Sequence, residues 1–114
     1  MFGRCPGFKR GIIQGSGIGE IEQAAAAGRG IRVQSAPGAN AAAVAEHTGA
    51  MILACAKALP HLDQRLRAGH WDKSTHKSVE LEGRTLGLVG LGAIGARVAL
   101  IGQAMGMRVL AFAI

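Results

Sequence analysis

Residues 85–95 read Thr-Leu-Gly-Leu-Val-Gly-Leu-Gly-Ala-Ile-Gly, and no other stretch of the 114-residue chain constrains the fold as strongly. Five residues suited to a buried strand run directly into Gly90-x-Gly92-x-x-Gly95. The spacing predicts a helix over 93–104, apolar at Ile94, Val98 and Ile101, with Gly106 as its stop. Residues 107–112 read as a second apolar strand. Strand, glycine turn, helix and strand within about thirty residues make a β-α-β unit of the kind that binds dinucleotides.

Each glycine has its own physical reason. Gly90 allows the tight turn out of the strand. Gly92 has no Cβ, so a pyrophosphate can approach the backbone. Gly95 lets the helix pack closely on the strand. Free N–H groups and the helix dipole at that end favour an anion. In a chain with eighteen glycines the motif could be a turn without a ligand, but the flanking strand and helix favour the dinucleotide reading. Gly15-x-Gly17 imitates the pattern, yet Glu20 stands where the third glycine belongs and would repel a phosphate. That turn reads as structural or substrate-facing. The fingerprint also calls for an acid about twenty residues on, to hold the ribose hydroxyls. Ala113 and Ile114 follow the second strand, and neither can accept those bonds.

Upstream, residues 10–14 are a strand candidate and 15–19 a glycine turn. Residues 20–27 read as a short helix stopped by Gly28, and 30–35 as a second strand carrying Ile31 and Val33. Pro37-Gly38 is a turn, and Asn40 is placed to cap the next helix. That helix is expected to run to about residue 59, where Pro60 ends it. A short helix over 61–68 carries Asp63 and Arg67 at ion-pair spacing, with Gly69 as its C-terminal glycine. Residues 70–82 form a polar loop around Trp71. The expected fold is α/β and Rossmann-like: two truncated β-α-β units joined by a long crossover helix.

Several chemistries find little support. Cys5 and Cys55 form neither a disulfide framework nor a metal motif, and Cys55 reads as a small buried residue. His61, His70 and His76 lack ligand spacing, so no metal is expected. His47 beside Glu46 invites an acid–base reading, but no nucleophile accompanies it, and a helix-face histidine bonded to a neighbour is the simpler account. Basic residues outnumber acidic ones 13 to 7, and Arg65, Arg67, His70, Lys73, His76 and Lys77 gather around Trp71. A single aromatic gives base stacking little support, so nucleic acid is not the expected partner. Residues 41–59 are apolar but interrupted by Glu46, His47 and Lys57, which disfavours a membrane span. With no apolar signal core at the N-terminus, a cytoplasmic location is expected.

An ordered series of motifs carries a family resemblance: Ala36-Pro37-Gly38-Ala39-Asn40, Val44-Ala45-Glu46-His47-Thr48, Arg67-Ala68-Gly69-His70-Trp71, and Leu81-Glu82-Gly83-Arg84-Thr85-Leu86-Gly87-Leu88-Val89-Gly90-Leu91-Gly92. Over residues 10–113 the chain resembles the D-isomer-specific 2-hydroxyacid dehydrogenases, the group that includes D-3-phosphoglycerate dehydrogenase. The resemblance implies residues 1–36 as the end of a substrate-domain segment, 37–60 as the interdomain crossover helix, and 61–114 as the first part of an NAD-binding Rossmann domain. It implies cofactor contacts at Gly90, Gly92, Ala93, Ile94 and Gly95, with Ser16 near the nicotinamide. The Ser16–Gly17 backbone and Asn40 would face the substrate carboxylate. Ala113 matches the family's ribose-binding Asp. NAD is the implied cofactor, with NADP left open.

The chain also departs from the family. Gly19-Glu20-Ile21-Glu22 stands where members often read Asp-Asn-Ile-Asp. The family's catalytic Arg, Glu and His lie well after the glycine motif, and all four histidines here precede it. The implied complete enzyme is an oxidoreductase acting on a CH–OH group, exchanging a hydride between nicotinamide and a small 2-hydroxy or 2-oxo acid. This chain alone is expected to be an inactive part of it, with no catalytic residue of its own. The alternative is a small non-catalytic module that binds a dinucleotide or a partner. An open sheet edge at residues 107–112 would favour self-association, because unpaired strand groups seek partners.

Overall fold

A computed structural model describes residues 23–113, which fall into two compact units divided after Asn40. The strand expected at 10–14 and the turn at 15–19 lie outside the described residues, as do Ser16 and Gly17.

In the first unit, helix α1 spans Gln23–Gly28. Its end is built around Gly30, not Gly28. Gly30 has φ +66°, its N–H donates to the Ala27 carbonyl, and the Ile31 N–H reaches back to that of Ala26. This paired closure needs a left-handed residue, and glycine takes that conformation without a Cβ penalty. Residues 30–35 form no strand, contrary to the sequence expectation. A strand exists through its ladder, and no described segment pairs with this one. Pro37-Gly38 is a turn as expected: Gly38 has φ +75°, and the Ala39 N–H donates to the Ala36 carbonyl.

In the second unit, α2 (Ala41–Ala56) starts directly after Asn40. It ends three residues earlier than its sequence suggests. Ala58 takes a left-handed conformation, φ 50°, and α3 (Leu59–Arg67) leaves at a 61° bend. Pro60 lies in the first turn of α3, so it opens that helix instead of ending α2. A proline is tolerated there because its missing N–H would have no intrahelical acceptor. Gly69, φ +86°, closes α3, with His70 N–H donating to the Arg65 carbonyl.

Strands β1 (Thr85–Val89) and β2 (Arg108–Phe112) pair in parallel, from Thr85↔Arg108 to Val89↔Phe112. Helix α4 (Ala93–Ala104) connects them, and Gly106, φ +72°, ends it. The helix lies on one face of the sheet. A Cβ on Gly102 would stand 2.7 Å from Leu86 Cδ2 and 3.4 Å from Val109 Cγ2, so the helix backbone itself touches the strand side chains. One layer out, α2 packs on α4 by the same device. Its buried positions are Ala41, Ala45 and Gly49, one helical face of small residues, and a Cβ on Gly49 would meet Ile101 Cγ2 at 3.2 Å.

Beyond α4 the sheet is open. Leu86, Leu88 and Val109 face the helix and are half-buried, whereas Val89, Leu110 and Phe112 are 77, 67 and 70% exposed. The expectation of a buried β1 therefore holds for one face only. Parallel strands are ordinarily covered on both faces, and among the described residues only α4 covers this sheet. Ile94 departs likewise. It is exposed, and Gly95, Val98, Ala99 and Gly102 make the inner face of α4 instead. Fully buried apolar residues among those described are Ala26, Ala41, Ala45 and Val98, none of them large.

Close packing at Gly102 gives a direct expectation. Gly102→Val forces a branched side chain against Leu86 and Val109 and lowers stability by about 1–3 kcal/mol, the usual cost of overpacking. Ala104→Val, on the exposed side of the same helix, changes it by about 0.5 kcal/mol or less. Urea unfolding followed by circular dichroism separates the two, and equal losses would show that Gly102 is not a packing site.

Candidate functional site

The end of β1 makes the site. Gly90 leaves the strand with φ +97°, a left-handed value that favours glycine, and its N–H donates to the Phe112 carbonyl at 2.7 Å. The turn is thereby fastened to the last residue of β2. Gly92 precedes α4 in an extended conformation, φ −82° and ψ −162°, and offers no side chain to cap the helix. The first bond of the helix runs from the Ala96 N–H to the Gly92 carbonyl at 2.9 Å. The N–H groups of Ala93, Ile94 and Gly95 precede that bond and have no intrahelical acceptor.

Gly92 and Gly95 differ in surroundings as their predicted roles require. A Cβ on Gly92 would meet nothing within 4 Å, so open space lies over the backbone there. A Cβ on Gly95 would run into the Gly90 carbonyl, so the helix is pressed directly onto the turn. The result is a cradle of three free N–H donors and an accessible backbone, in which the helix dipole favours a negative charge. Its shape fits a pyrophosphate.

Gly90, Gly92, Ala93, Ile94 and Gly95 are thus brought together in one loop. The exposure of Ile94 leaves that side chain beside the cradle instead of in the core. Asn40 stands at the start of α2, at the boundary of the two units. Ala113 is exposed and directly follows Phe112, whose carbonyl accepts from Gly90.

The other candidate chemistries resolve differently. Glu46 and His47 are both exposed on α2. Cys55 is exposed too, a correction to its reading as a buried residue. Its place on α2 is beyond the Ala41, Ala45 and Gly49 stripe that meets α4. No group of three His, Cys, Asp or Glu among the described residues could hold a metal. No single described helix is long and apolar enough to cross a membrane.

In the basic cluster, two cations are already paired. Arg67 Nε donates to Asp63 at 2.9 Å, as the spacing predicts, although both side chains are exposed. Arg65 forks onto Asp72, Nε to Oδ2 at 2.8 Å and Nη2 to Oδ1 at 3.0 Å. This pair joins a helix to a loop across seven residues, a spacing that no periodicity flags. Trp71 stands 75% exposed at a groove of about 280 Å³, where Leu62, Leu66, Lys73 and His76 also line the wall. His76 Nε2 is buried there without a hydrogen-bond partner. Behind the groove the Lys57 ammonium donates to the Val79 carbonyl, and the Val79 N–H to that of Ala56, so the loop returns to the end of α2 before entering β1.

The bonds from Arg65 hold the Asp72 carboxyl below its ordinary range, and Asp72 in turn raises Arg65. A carboxyl lowered on folding stabilises the fold above its unfolded pKa, and that contribution is lost as pH falls through the folded value. Asp72→Asn is therefore less thermostable than the parent at neutral pH. The gap between them narrows as the pH is taken below the ordinary carboxylate range. Melting curves across that range test this, and a gap independent of pH would show that the charge contributes nothing.

Comparison with known proteins places this geometry. Residues 49–114 match the family described as D-isomer specific 2-hydroxyacid dehydrogenase, NAD binding domain. The chain is 41% identical over 98 residues to D-3-phosphoglycerate dehydrogenase of Archaeoglobus fulgidus, covering 86% of this chain and 19% of that protein. It is 42% identical over 103 residues to hydroxypyruvate reductase of Thermotoga maritima, covering 89% and 34%. It thus spans about a fifth to a third of the length of these relatives. Among solved structures, the TT0316 protein of Thermus thermophilus superposes with a TM-score of 0.79 at 39% identity, covering 85% of this chain and 32% of that one. The D-lactate dehydrogenase of Aquifex aeolicus, complexed with NAD and lactic acid, gives 0.71 at 38% identity, covering 84% and 29%.

Proposed function

Because the chain belongs to the D-isomer-specific 2-hydroxyacid dehydrogenase family, through its NAD-binding domain, we propose that residues 85–113 form the pyrophosphate-binding part of a nicotinamide dinucleotide site. The observation that carries this reading is the cradle: three free N–H donors at the start of α4, open space over Gly92, and Gly95 against the Gly90 carbonyl. In the complete enzyme the cofactor would give a hydride to C2 of a small 2-oxo acid in its reduced form, or accept one from C2 of the 2-hydroxy acid in its oxidised form. The role of this chain is to bind and orient the dinucleotide. Ala93 and Ile94 donate their backbone N–H groups to its phosphates, Ser16 is assigned to the nicotinamide, and the Gly17 backbone and Asn40 are assigned to the substrate carboxylate. These last three assignments rest on the family resemblance. The domain division at 36 and 60 rests on it as well.

Catalysis needs groups that this chain does not carry after its glycine loop. From Gly95 onward there is no His, Glu or Asp, and the ionisable side chains are Arg97 and Arg108. Arg108 is engaged at the far end of the sheet, donating to Thr85 Oγ1 at 3.0 Å. The 114-residue chain alone therefore produces no NADH from NAD and any 2-hydroxy acid. Steady-state absorbance assays check this, and turnover above a buffer control would overturn it. The second reading, a small binding module, draws on the exposed Val89, Leu110 and Phe112, an apolar sheet face suited to self-association.

Gly92→Ser tests the site. Serine is a preferred N-cap residue, and the extended conformation at position 92 accommodates it, so the fold keeps its melting temperature or gains. Its hydroxymethyl group enters the space left for phosphate and competes for the same N–H donors. NADH affinity, by calorimetry, is expected to fall about tenfold or more, which corresponds to about 1.4 kcal/mol. Unchanged affinity in a folded Gly92→Ser chain would remove the cradle from the binding site.

A further inference from the structure

The same end of the sheet decides more than phosphate binding. Val89 pairs with Phe112, and the Gly90 N–H donates to the Phe112 carbonyl, so the chain leaves β2 directly beside the first glycine of the loop. In a dinucleotide fold of this topology, the residue that follows the second strand meets the adenosine ribose. A carboxylate there does two things. It accepts hydrogen bonds from the 2′- and 3′-hydroxyls, and it repels a 2′-phosphate. Here that residue is Ala113, an exposed methyl group that does neither.

No acid of residues 83–113 takes over. From Gly83 to Ala113 the only ionisable side chains are Arg84, Arg97 and Arg108, so this whole stretch carries three positive charges and no negative one. Arg97 is exposed in the second turn of α4, on the helix whose N-terminus forms the cradle. The acids nearest in sequence, Glu80 and Glu82, lie before β1, at the opposite end of the strand, together with Arg84 and Arg108. Glu82 packs there against Gly106. A 2′-phosphate adds about two negative charges near neutral pH, and apart from the two arginines at the far end of the strands the one charged side chain of residues 83–113 is the Arg97 guanidinium on α4.

We propose that the dinucleotide site of this chain does not select against the 2′-phosphate, and that Ala113 is the position that sets this: NADP(H) binds at least as tightly as NAD(H). The proposal rests on the dinucleotide reading above and adds the cofactor preference to it.

Calorimetric titration of the full 114-residue chain with NADH and with NADPH, in separate experiments at low salt, tests both layers. The expected result is a Kd for NADPH equal to or below that for NADH, with the NADPH value weakening more steeply as salt is added, because charge attraction is screened. Ala113→Asp restores diol acceptors and repulsion, and moves the ratio of the two constants toward NADH by about tenfold or more, since like charges brought together at a binding interface are strongly disfavoured. Ala113→Asn, which can accept a hydrogen bond but carries no charge, moves it less. Circular dichroism confirms that both variants fold. If the parent chain binds NADH about tenfold more tightly than NADPH, or Ala113→Asp leaves the ratio unchanged, the preference is overturned while the site stands. If neither dinucleotide binds, the site itself is wrong and the preference falls with it.

Discussion

Everything built around the sheet depends on two missing Cβ atoms. Gly95 brings the start of α4 onto the Gly90 carbonyl, and Gly102 brings its last turn onto Leu86 and Val109. The helix axis is thereby set close to the strands at both ends. That position aims the unbonded N–H groups of Ala93, Ile94 and Gly95 across the backbone of Gly92, and the cradle follows from the packing. Any side chain at Gly95 would lift the helix and withdraw those donors, even if each residue that touches the ligand stayed the same. The phosphate site and the core are therefore one structure here. Gly49 extends the scheme outward by seating α2 on Ile101, so small residues step through two successive layers.

The elements of this unit were legible in the sequence because several signals agree there. Strand β1, helix α4 and strand β2 each combine an apolar period with a glycine at the boundary, and their observed bounds follow the expected ones to within a residue. Agreement failed where a signal could be read in two directions. Pro60 disfavours a helix before it and suits a helix after it, and only the left-handed Ala58 shows which applies. Nothing in an alanine announces a left-handed conformation, since the steric cost falls on its own Cβ. Near α1, two glycines compete for one cap, and the closure that satisfies more carbonyls uses Gly30. Residues 30–35 have strand-like alternation, but alternation records a preference for a sheet and cannot provide its neighbour.

The site shows the same division. Its glycines were readable because each answers a local need: a turn, a close approach, a helix contact. The Arg65–Asp72 fork was not, because a helix residue meeting a loop residue depends on the path of the loop and obeys no period. Burial was the least legible property. Ile94, Cys55 and one face of each strand carry apolar side chains that the described residues leave exposed. A sequence pattern tells which face of an element is apolar, but what covers that face is decided elsewhere in the fold.

The ladder between β1 and β2 keeps one constant separation, from Thr85↔Arg108 through Val89↔Phe112. Every pair closes the same loop of 23 residues, most of them already ordered as α4. Loop closure costs entropy that grows with length, and contacts made over short separations lower the barrier to assembly. Among the described residues the two strands pair only with each other. A ribosome emitting this polypeptide would release the fastening strand directly after α4, the one element between it and the glycine cradle. Their docking is then a local event in time as well as in space. On that route the anion-binding loop is among the first features to acquire its final shape, and α2, made earlier, has α4 to settle on only afterwards.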